Sequence, residues 1–315
     1  MKRILVTGGA GFIGSHLVER LLSAGASVTV LDNFATGVHE HVPADAVLVE
    51  GDVSDRMVVD QLFASERFDA VFHVAGQASI SRSFAAPESD LMTNVFGTLN
   101  VVQGCLDAGV PRLVNASSMT VYGEPDRLPT PEDVPCVPVS FYGVTKYAAE
   151  RYAQITGART DVKLDVTSLR MFNVYGERQS IGNPYQGVLA IFIGSLLRGE
   201  PLTIHGDGQQ TRDFVFVSDV VAAWLQVLDA PEAFGSTLNV GSGSETSVNK
   251  VADTVLAAFG ESRATWGMRL TSAQLGDQRR AAADTRALSA LGWTPVVPLG
   301  EGVGRTVAWA RAGVS

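Results

Sequence analysis

The sequence predicts an α/β fold, a doubly wound parallel sheet with a smaller C-terminal α/β domain, and three observations carry that prediction. Short, near-continuously apolar runs alternate with helix-period segments through the first half, as in parallel strands covered on both faces. A glycine-rich turn, Thr7-Gly8-Gly9-Ala10-Gly11-Phe12-Ile13-Gly14, joins the first of these runs to the first helical segment. After Asn173 the alternation gives way to shorter runs and a stretch rich in Gly, Pro, Asn and Gln.

In order, Arg3 to Thr7 reads as a strand, Phe12 to Ala24 as a helix and Ser27 to Leu31 as the second strand. Ala46 to Glu50, Ala70 to His73 and Arg112 to Ala116 continue the strand series. Helical patterns lie at about 54–66, 90–108 and 144–158. Gly176 to Gly187 reads as a loop, followed by a helix at about 187–198 and a strand at Leu202 to His205. Phe214 to Val217 and Thr237 to Val240 are strands, and Ser247 to Phe259 is a helix capped by Thr246 or Ser247. No internal repeat or long linker interrupts the chain. The expected division is 1–169, 213–241 and 288–315 for a nucleotide domain, with 170–212 and 242–287 for a substrate domain.

With 315 residues, 46% of them apolar and 18% charged, the chain can bury a sizeable core. A net charge of -9 argues against nonspecific binding to nucleic acid or to an anionic membrane. An anionic ligand therefore needs a local site of helix N-termini and a few arginines. Cys105 and Cys136 have neither CxxC spacing nor a His cluster, so neither a disulfide framework nor a metal site is expected. No run approaches the roughly 20 apolar residues of a membrane span, and Met1 to Val6 is too short for a leader peptide. A cytoplasmic location is the expectation.

Gly9-x-Gly11-x-x-Gly14 fits the dinucleotide turn, and Gly8 belongs to the same cradle. Glycines there let backbone N–H groups and a helix N-terminus approach a pyrophosphate. A lone glycine motif is weak, but here a strand precedes it and a helix follows, as in the Rossmann fold. Asp32 ends the next strand, where a carboxylate accepts from both ribose hydroxyls and repels a 2′-phosphate. Asn33 rather than Arg follows it, so NAD is expected over NADP. Asp52, after the third strand, is placed to meet the adenine amino group; the alternative is a cap on the helix at about 54–66, with Ser54 competing.

The chemistry is expected at Ser118, Tyr142 and Lys146. Tyr-x-x-x-Lys is a weak motif alone: 6 Tyr and 4 Lys in 315 residues give about 0.08 chance matches. Its value lies in the register with Ser118 and the glycine turn. On a helix the two side chains share a face one turn apart. An ammonium at about 6 Å and an effective dielectric of about 20 contributes about 2.8 kcal/mol, or roughly two pKa units, toward ionising a phenol of pKa about 10. A nicotinamide cation nearby lowers it further. Singly, the three residues have plainer readings: a buried aromatic, a solvated lysine and a turn cap.

With these motifs in place, the sequence resembles the extended short-chain dehydrogenase/reductase superfamily, nearest to the UDP-glucose 4-epimerase family. The resemblance runs through His73-Val74-Ala75-Gly76-Gln77, Asn94-Val95-Phe96-Gly97-Thr98, Arg170-Met171-Phe172-Asn173-Val174-Tyr175-Gly176, Gly206 to Phe214, and Gly276-Asp277 with Ala283-Asp284-Thr285. It implies that Tyr142 is the acid/base at the sugar 4-hydroxyl, Lys146 holds the nicotinamide ribose and Ser118 orients the 4-oxygen. It implies cofactor contacts from Phe12, Ile13, Asn33, Thr36, Gly37 and Val53. Further cofactor contacts come from Val74, Ala75, Gly76, Gln77, Asn94 and Phe172. Substrate contacts are implied for Asn173 and Arg212 on the diphosphate, Asp277 on the uridine ribose, and Val188, Thr203 and His205. A homodimer, paired through the helices at about 90–108 and 144–158, is implied as well.

Some positions depart from the family pattern. Gln274 stands where an arginine usually meets phosphate, so the two expectations are weaker diphosphate binding or a substitute in Arg279 or Arg280. Ala281 replaces a bulky tyrosine found in some relatives, leaving room for a 2-acetamido group. Related dehydratases carry an Asp-Glu pair after the serine or threonine; here those places are Met119 and Thr120, which do not titrate. The expected activity is therefore 4-epimerisation of UDP-glucose and UDP-galactose, and of their N-acetyl counterparts, through a transient 4-keto sugar. The alternatives are an epimerase of an NDP-uronate or specialised NDP-sugar, a dehydratase or decarboxylase, and a noncatalytic NAD sensor.

Overall fold

A computed structural model of the chain describes residues 1–181, 187–272 and 279–313. β1 (Arg3–Thr7) leads through the glycine turn into α1 (Phe12–Ser23), then β2 (Ser27–Asp32), β3 (Val47–Glu50), α2 (Arg56–Ser65) and β4 (Ala70–His73). Short helices α3 (Ile80–Ala85) and α4 (Pro87–Leu91) pass through a π-helical turn at Met92–Phe96 into α5 (Gly97–Ala108). β5 (Arg112–Ser118), α6 (Phe141–Gly157) and β6 (Asp165–Met171) follow, then β7 (Asn173–Tyr175), α7 (Val188–Leu197), β8 (Leu202–His205) and β9 (Thr211–Arg212). The remainder is β10 (Phe214–Phe216), α8 (Val217–Leu228), β11 (Thr237–Val240), β12 (Thr246–Ser247), α9 (Val248–Phe259), β13 (Met268–Thr271), α10 (Arg286–Ala290) and α11 (Leu299–Ala312).

Among the described residues the central sheet has seven parallel strands in the order β11-β6-β5-β4-β1-β2-β3. The order reverses between β1 and β4, which opens a crevice at the carboxyl ends of those strands. On one face Ile4, Val6, Val30 and Phe72 pack with Trp224 and Val220 of α8 and with Leu17 of α1. Leu5, Val71 and Leu113 point to the other face, against Val59 and Phe63 of α2 and Val101 of α5. A further cluster joins α7, α9 and α11 through Phe192, Val251, Leu256, Val303 and Val307, around Tyr175 and Phe216.

Local chemistry sets the helix starts. Ser140 accepts from the Gly143 N–H at the start of α6, and Ser247, not Thr246, accepts from Lys250 at the start of α9. The cap of α2 is Asp55, which accepts from Met57, so neither Asp52 nor Ser54 fills that role. The helix expected at about 90–108 starts earlier, at Pro87, and runs unbroken through α4, the π turn and α5. Pro87 starts α4, and Asp90 and Asn94 turn inward and bond each other, with Asn94 Nδ2 donating to Asp90 Oδ1 at 3.1 Å.

Strand β6 lacks the apolar pattern expected of a buried strand because its polar side chains are satisfied inside. Thr167 Oγ1 donates to the Ala233 carbonyl, Gln154 donates to Ser168 Oγ, and Arg170 is ion-paired. The run read as a strand through Val217 ends at Phe216, and the same apolar stretch continues as α8.

Candidate active site

The glycine turn is shaped by close backbone approach. Gly8 has φ +71°, and a Cβ there would stand 2.7 Å from the Ala75 amide nitrogen. A Cβ on Gly14 would stand 2.0 Å from the Gly8 carbonyl oxygen, so only glycine lets α1 lie this close to the turn. Gly11 is the residue before α1; no side chain caps the helix, and its first turn carries no acidic residue. The first-turn N–H groups therefore remain available to an anion. Phe12 and Ile13 are half-buried at that helix start.

Asp32, at the end of β2, accepts from the Ala10 and Phe34 backbone N–H groups at 2.9 and 2.8 Å. It is thereby fixed beside the cradle, with Gly37 packed against its carboxylate. Asn33 and Thr36 are exposed on the following loop. Asn33 Nδ2 donates to Asp52 Oδ2 at 2.7 Å, while the Ser54 N–H and hydroxyl donate to Asp52 Oδ1. Burial raises the Asp52 pKa, but the bonds from Ser54 and Asn33 outweigh it and leave the carboxyl below its ordinary value. Val53 is buried beside Gly97.

From β4 the chain runs through Val74, Ala75, Gly76 and Gln77. Gln77 N–H donates to Asn94 Oδ1 at 2.9 Å, so the π turn and this loop are tied together. A Cβ on Gly76 would lie 2.9 Å from Asn94 Oδ1 and 3.6 Å from Lys146 Nζ, which brings Lys146 to the same loop. Below it sits His73, fully buried. The Thr98 hydroxyl donates to the Asn94 carbonyl, so it accepts from His73 Nε2–H; Thr7 Oγ1, accepting from the Ala75 N–H, donates to His73 Nδ1. The ring is held neutral: burial first, and then the Lys146 charge, depress its pKa to about 3.

Ser118 ends β5 and caps a 3₁₀ turn at Met119–Tyr122. Thr120 Oγ1 donates to Ser118 Oγ at 3.0 Å, which leaves the Ser118 hydroxyl to donate to the Tyr142 phenol. Tyr142 and Lys146 lie on the first turns of α6, both nearly buried. The Tyr142 N–H donates to Ser83 Oγ at 3.1 Å, anchoring that turn to α3.

The electrostatics differ from the expectation of a lowered phenol pKa. Burial pushes the Tyr142 pKa up to about 12; the Ser118 hydrogen bond pulls it down and the Asp90 charge adds to the rise. Burial is the larger effect because a phenolate loses its hydration, whereas the ammonium is itself pushed down. Burial lowers Lys146 to about 8, with Asp90 and Glu150 opposing.

Phe172 is buried with Met119, Tyr122 and Ala281, beside Ser118. Asn173, on β7, has an amide oxygen that is buried with no partner among the described residues. Val188 opens α7, Thr203 lies half-buried on β8, and His205 Nδ1 bonds Thr271 Oγ1 at 2.7 Å. Arg212, on β9, donates to the Thr211 carbonyl. Asp213 is buried and accepts from Ser242, Gly243 and Ala283. The expected substitutes for the Gln274 position are engaged: Arg279 pairs with Asp207, and Arg280 with Glu245. Gln274, Gly276 and Asp277 lie outside the described residues.

These features place a glycine-lined turn and a helix N-terminus beside a serine, a tyrosine and a lysine. The sequence model of the NAD dependent epimerase/dehydratase family matches residues 4–241. The chain belongs to that family. It is 40% identical to a UDP-glucose 4-epimerase of Mycolicibacterium smegmatis, over 98% of each chain. Two solved structures agree over almost their full length. One is a Thermotoga maritima UDP-glucose 4-epimerase with UDP-glucose, with TM-score 0.94, 36% identity, and 99% of this chain and 100% of that one covered. The other is a Thermus thermophilus UDP-glucose 4-epimerase complex with NAD, with TM-score 0.90, 37% identity, and 98% and 99% covered. As in the rest of the epimerase/dehydratase family, the cofactor is NAD.

Sequence reasoning passed over Ser83, Asp90 and Thr145, and read Thr120 only as a place that does not titrate. Their signal was positional: Asp90 precedes Asn94 by one helical turn, and Thr145 follows Tyr142 by nearly one.

Proposed function

We propose that the chain interconverts UDP-glucose and UDP-galactose by inverting sugar C4 through a transient 4-keto sugar. NAD supplies the chemistry of accepting the C4 hydride and returning it to the other face. The convergence of Ser118, Tyr142 and Lys146 beside the cofactor turn carries this reading. Tyr142 takes the 4-hydroxyl proton and later returns it. Ser118 orients that oxygen, and Lys146 binds the nicotinamide ribose while keeping a positive charge near the phenol. Gly8, Gly11, Gly14, Phe12 and Ile13 cradle the NAD diphosphate. Asp32 takes the adenosine ribose, flanked by Asn33, Thr36 and Gly37, and Asp52 with Val53 lines the adenine. The 74–77 loop, Asn94 and Phe172 border the nicotinamide side. Asn173 and Arg212 bind the substrate diphosphate, Asp277 the uridine ribose, and Val188, Thr203 and His205 the uracil side. Residues 1–169 and 213–241 form the NAD domain, and 170–212 with 242–287 the substrate domain, on which α11 packs.

The test is incubation of the NAD-loaded protein with a panel of UDP-, dTDP- and GDP-sugars, with products resolved by NMR. The expected result is a reversible UDP-glucose/UDP-galactose mixture of unchanged mass. Loss of water or CO2, or no epimer from any sugar, overturns the reading. A wider pocket is argued from side-chain size: Ala281, buried with Met119 and Phe172, carries only a methyl where some relatives carry tyrosine. UDP-GlcNAc is therefore expected to turn over at a rate comparable with UDP-glucose, and Ala281→Tyr to reduce the acetamido sugar selectively.

The partner is a second copy of the chain. Phe84, Leu91, Met92, Phe96, Phe141, Val144, Tyr152 and Ile155 are exposed on α3 to α6, with the Phe84 and Phe141 rings 5.0 Å apart. On α6 the offsets of Phe141, Val144, Tyr152 and Ile155 form one stripe. Phe96→Asp is expected to convert the dimer to monomer in sedimentation velocity; an unchanged sedimentation coefficient counts against this surface.

A further inference from the structure

Asp90 has no role in the chemistry described above, yet it stands behind the Tyr142–Lys146 pair. Its side chain on α4 is fully enclosed. Among the described residues its hydrogen-bond partners are all neutral: Gln77 Nε2 at 2.6 Å, Asn94 Nδ2 at 3.1 Å and Thr145 Oγ1 at 2.7 Å. A carboxylate this deep is costly unless a cation compensates it. The cation it acts on is Lys146, for which Asp90 is the foremost stabilising charge, ahead of Glu150. Its neutral partners come from three pieces of the site: the loop after β4, the π turn and the first turns of α6.

We propose that Asp90 is a positioning residue for proton transfer, whose charge holds Lys146 as the ammonium and whose bond to Thr145 fixes the turn between Tyr142 and Lys146. The proposal rests on the acid/base role assigned to Tyr142. The groups facing the pair are Asp90 from α4, Glu150 one turn along α6, His73 from β4 and Ser118 from β5. The same negative charge that favours the ammonium disfavours the phenolate. Removing it therefore moves both titrations toward acid, a signature that lost packing does not produce.

Asp90→Asn isolates the charge. The retained oxygen still accepts from Gln77 and Asn94. The new amide faces Thr145, whose hydroxyl already has the Tyr142 carbonyl at 3.1 Å as an alternative acceptor and so accepts from Asn instead. In the NAD-loaded enzyme, both limbs of the kcat–pH profile are expected to move to lower pH by roughly half a unit or more. Thr145→Val removes the hydrogen bond but not the charge; it is expected to lower kcat with both limbs in place. If Asp90→Asn does not fold, Asp90→Ser carries the same change of charge and must show the same displacement. Limbs that stay in place in the neutral variant, or move equally in Thr145→Val, overturn the proposal. Tyr142→Phe separates the two ideas: full activity there removes the reading beneath, whereas an inactive Tyr142→Phe beside an unmoved Asp90→Asn profile removes this proposal alone.

Discussion

Tyr142→Phe should lower kcat for UDP-glucose by about 10³-fold, within the range that a positioned acid/base supplies, while NAD stays on the protein. The phenol oxygen is the one atom lost. The ring remains buried on α6, the backbone bond to Ser83 is untouched, and none of the cradle contacts involves the hydroxyl. With a pKa of about 12, ionising the phenol at pH 7 in the cofactor-free chain costs about 7 kcal/mol. The cofactor-free chain thus holds a neutral phenol, with the Ser118 hydroxyl on one side, and that phenol must lose its proton to solvent before it can act as the base. A cationic cofactor ring beside it favours that ionisation, so the phenolate that takes the sugar proton belongs to the NAD-loaded protein. Phe offers no path for that proton, and Ser118 alone is too weak a base at neutral pH. NMR turnover assays with the absorbance of retained NAD provide the check. Activity within tenfold of the parent removes Tyr142 from the role.

The cradle, the sheet and the Tyr142–Lys146 register were legible in the sequence because each rests on local constraints. Gly8 and Gly14 sit where a Cβ collides with backbone, and an i,i+4 offset on a helix fixes two side chains relative to each other. What was not legible depends on burial and on partners distant in sequence. The direction of the Tyr142 pKa is set by desolvation, which no motif encodes, so a pairwise estimate from Lys146 pointed the wrong way. Strand β6 was hidden because Arg170, Ser168 and Thr167 look solvent-facing until their partners on α6 and near β11 are in place. Asp90 was invisible for the same reason: an acidic residue in Pro-Glu-Ser-Asp reads as a solvated helix start, and only the inward turn at Asn94 reveals it as enclosed.

Arg170→Met should destabilise the fold by about 3–5 kcal/mol, the cost of stranding one partner of a buried ion pair. Arg170 and Glu150 are about as enclosed as Phe172, with side chains 6% and 2% exposed. Arg170 Nη2 donates to Glu150 Oε1 at 2.6 Å and Nε to Oε2 at 2.9 Å, a two-pronged contact, while Nη1 reaches the Tyr122 hydroxyl at 3.0 Å. Burial alone lowers the Arg170 pKa; the bonds and charge of Glu150 more than reverse this, so the guanidinium is held firmly protonated. Once Arg170 is gone, Glu150 keeps, among the described residues, only the Ser117 hydroxyl as a hydrogen-bond partner, at 2.6 Å, and its charge is left in the core without a bonded cation. Protonation relieves that state: the stranded carboxyl binds a proton more tightly folded than unfolded, so the deficit is largest at pH 8 and narrows as pH falls toward 5. The double variant Arg170→Met/Glu150→Leu removes both charges and should recover most of the loss, because an apolar pair of similar volume can replace a buried salt bridge. Urea denaturation of the three proteins at pH 8 and pH 5 measures all of these terms. A single-variant deficit below about 1 kcal/mol, or one that widens toward acid, would show that the pair is not the buried charge lock between α6 and β6 that its geometry describes.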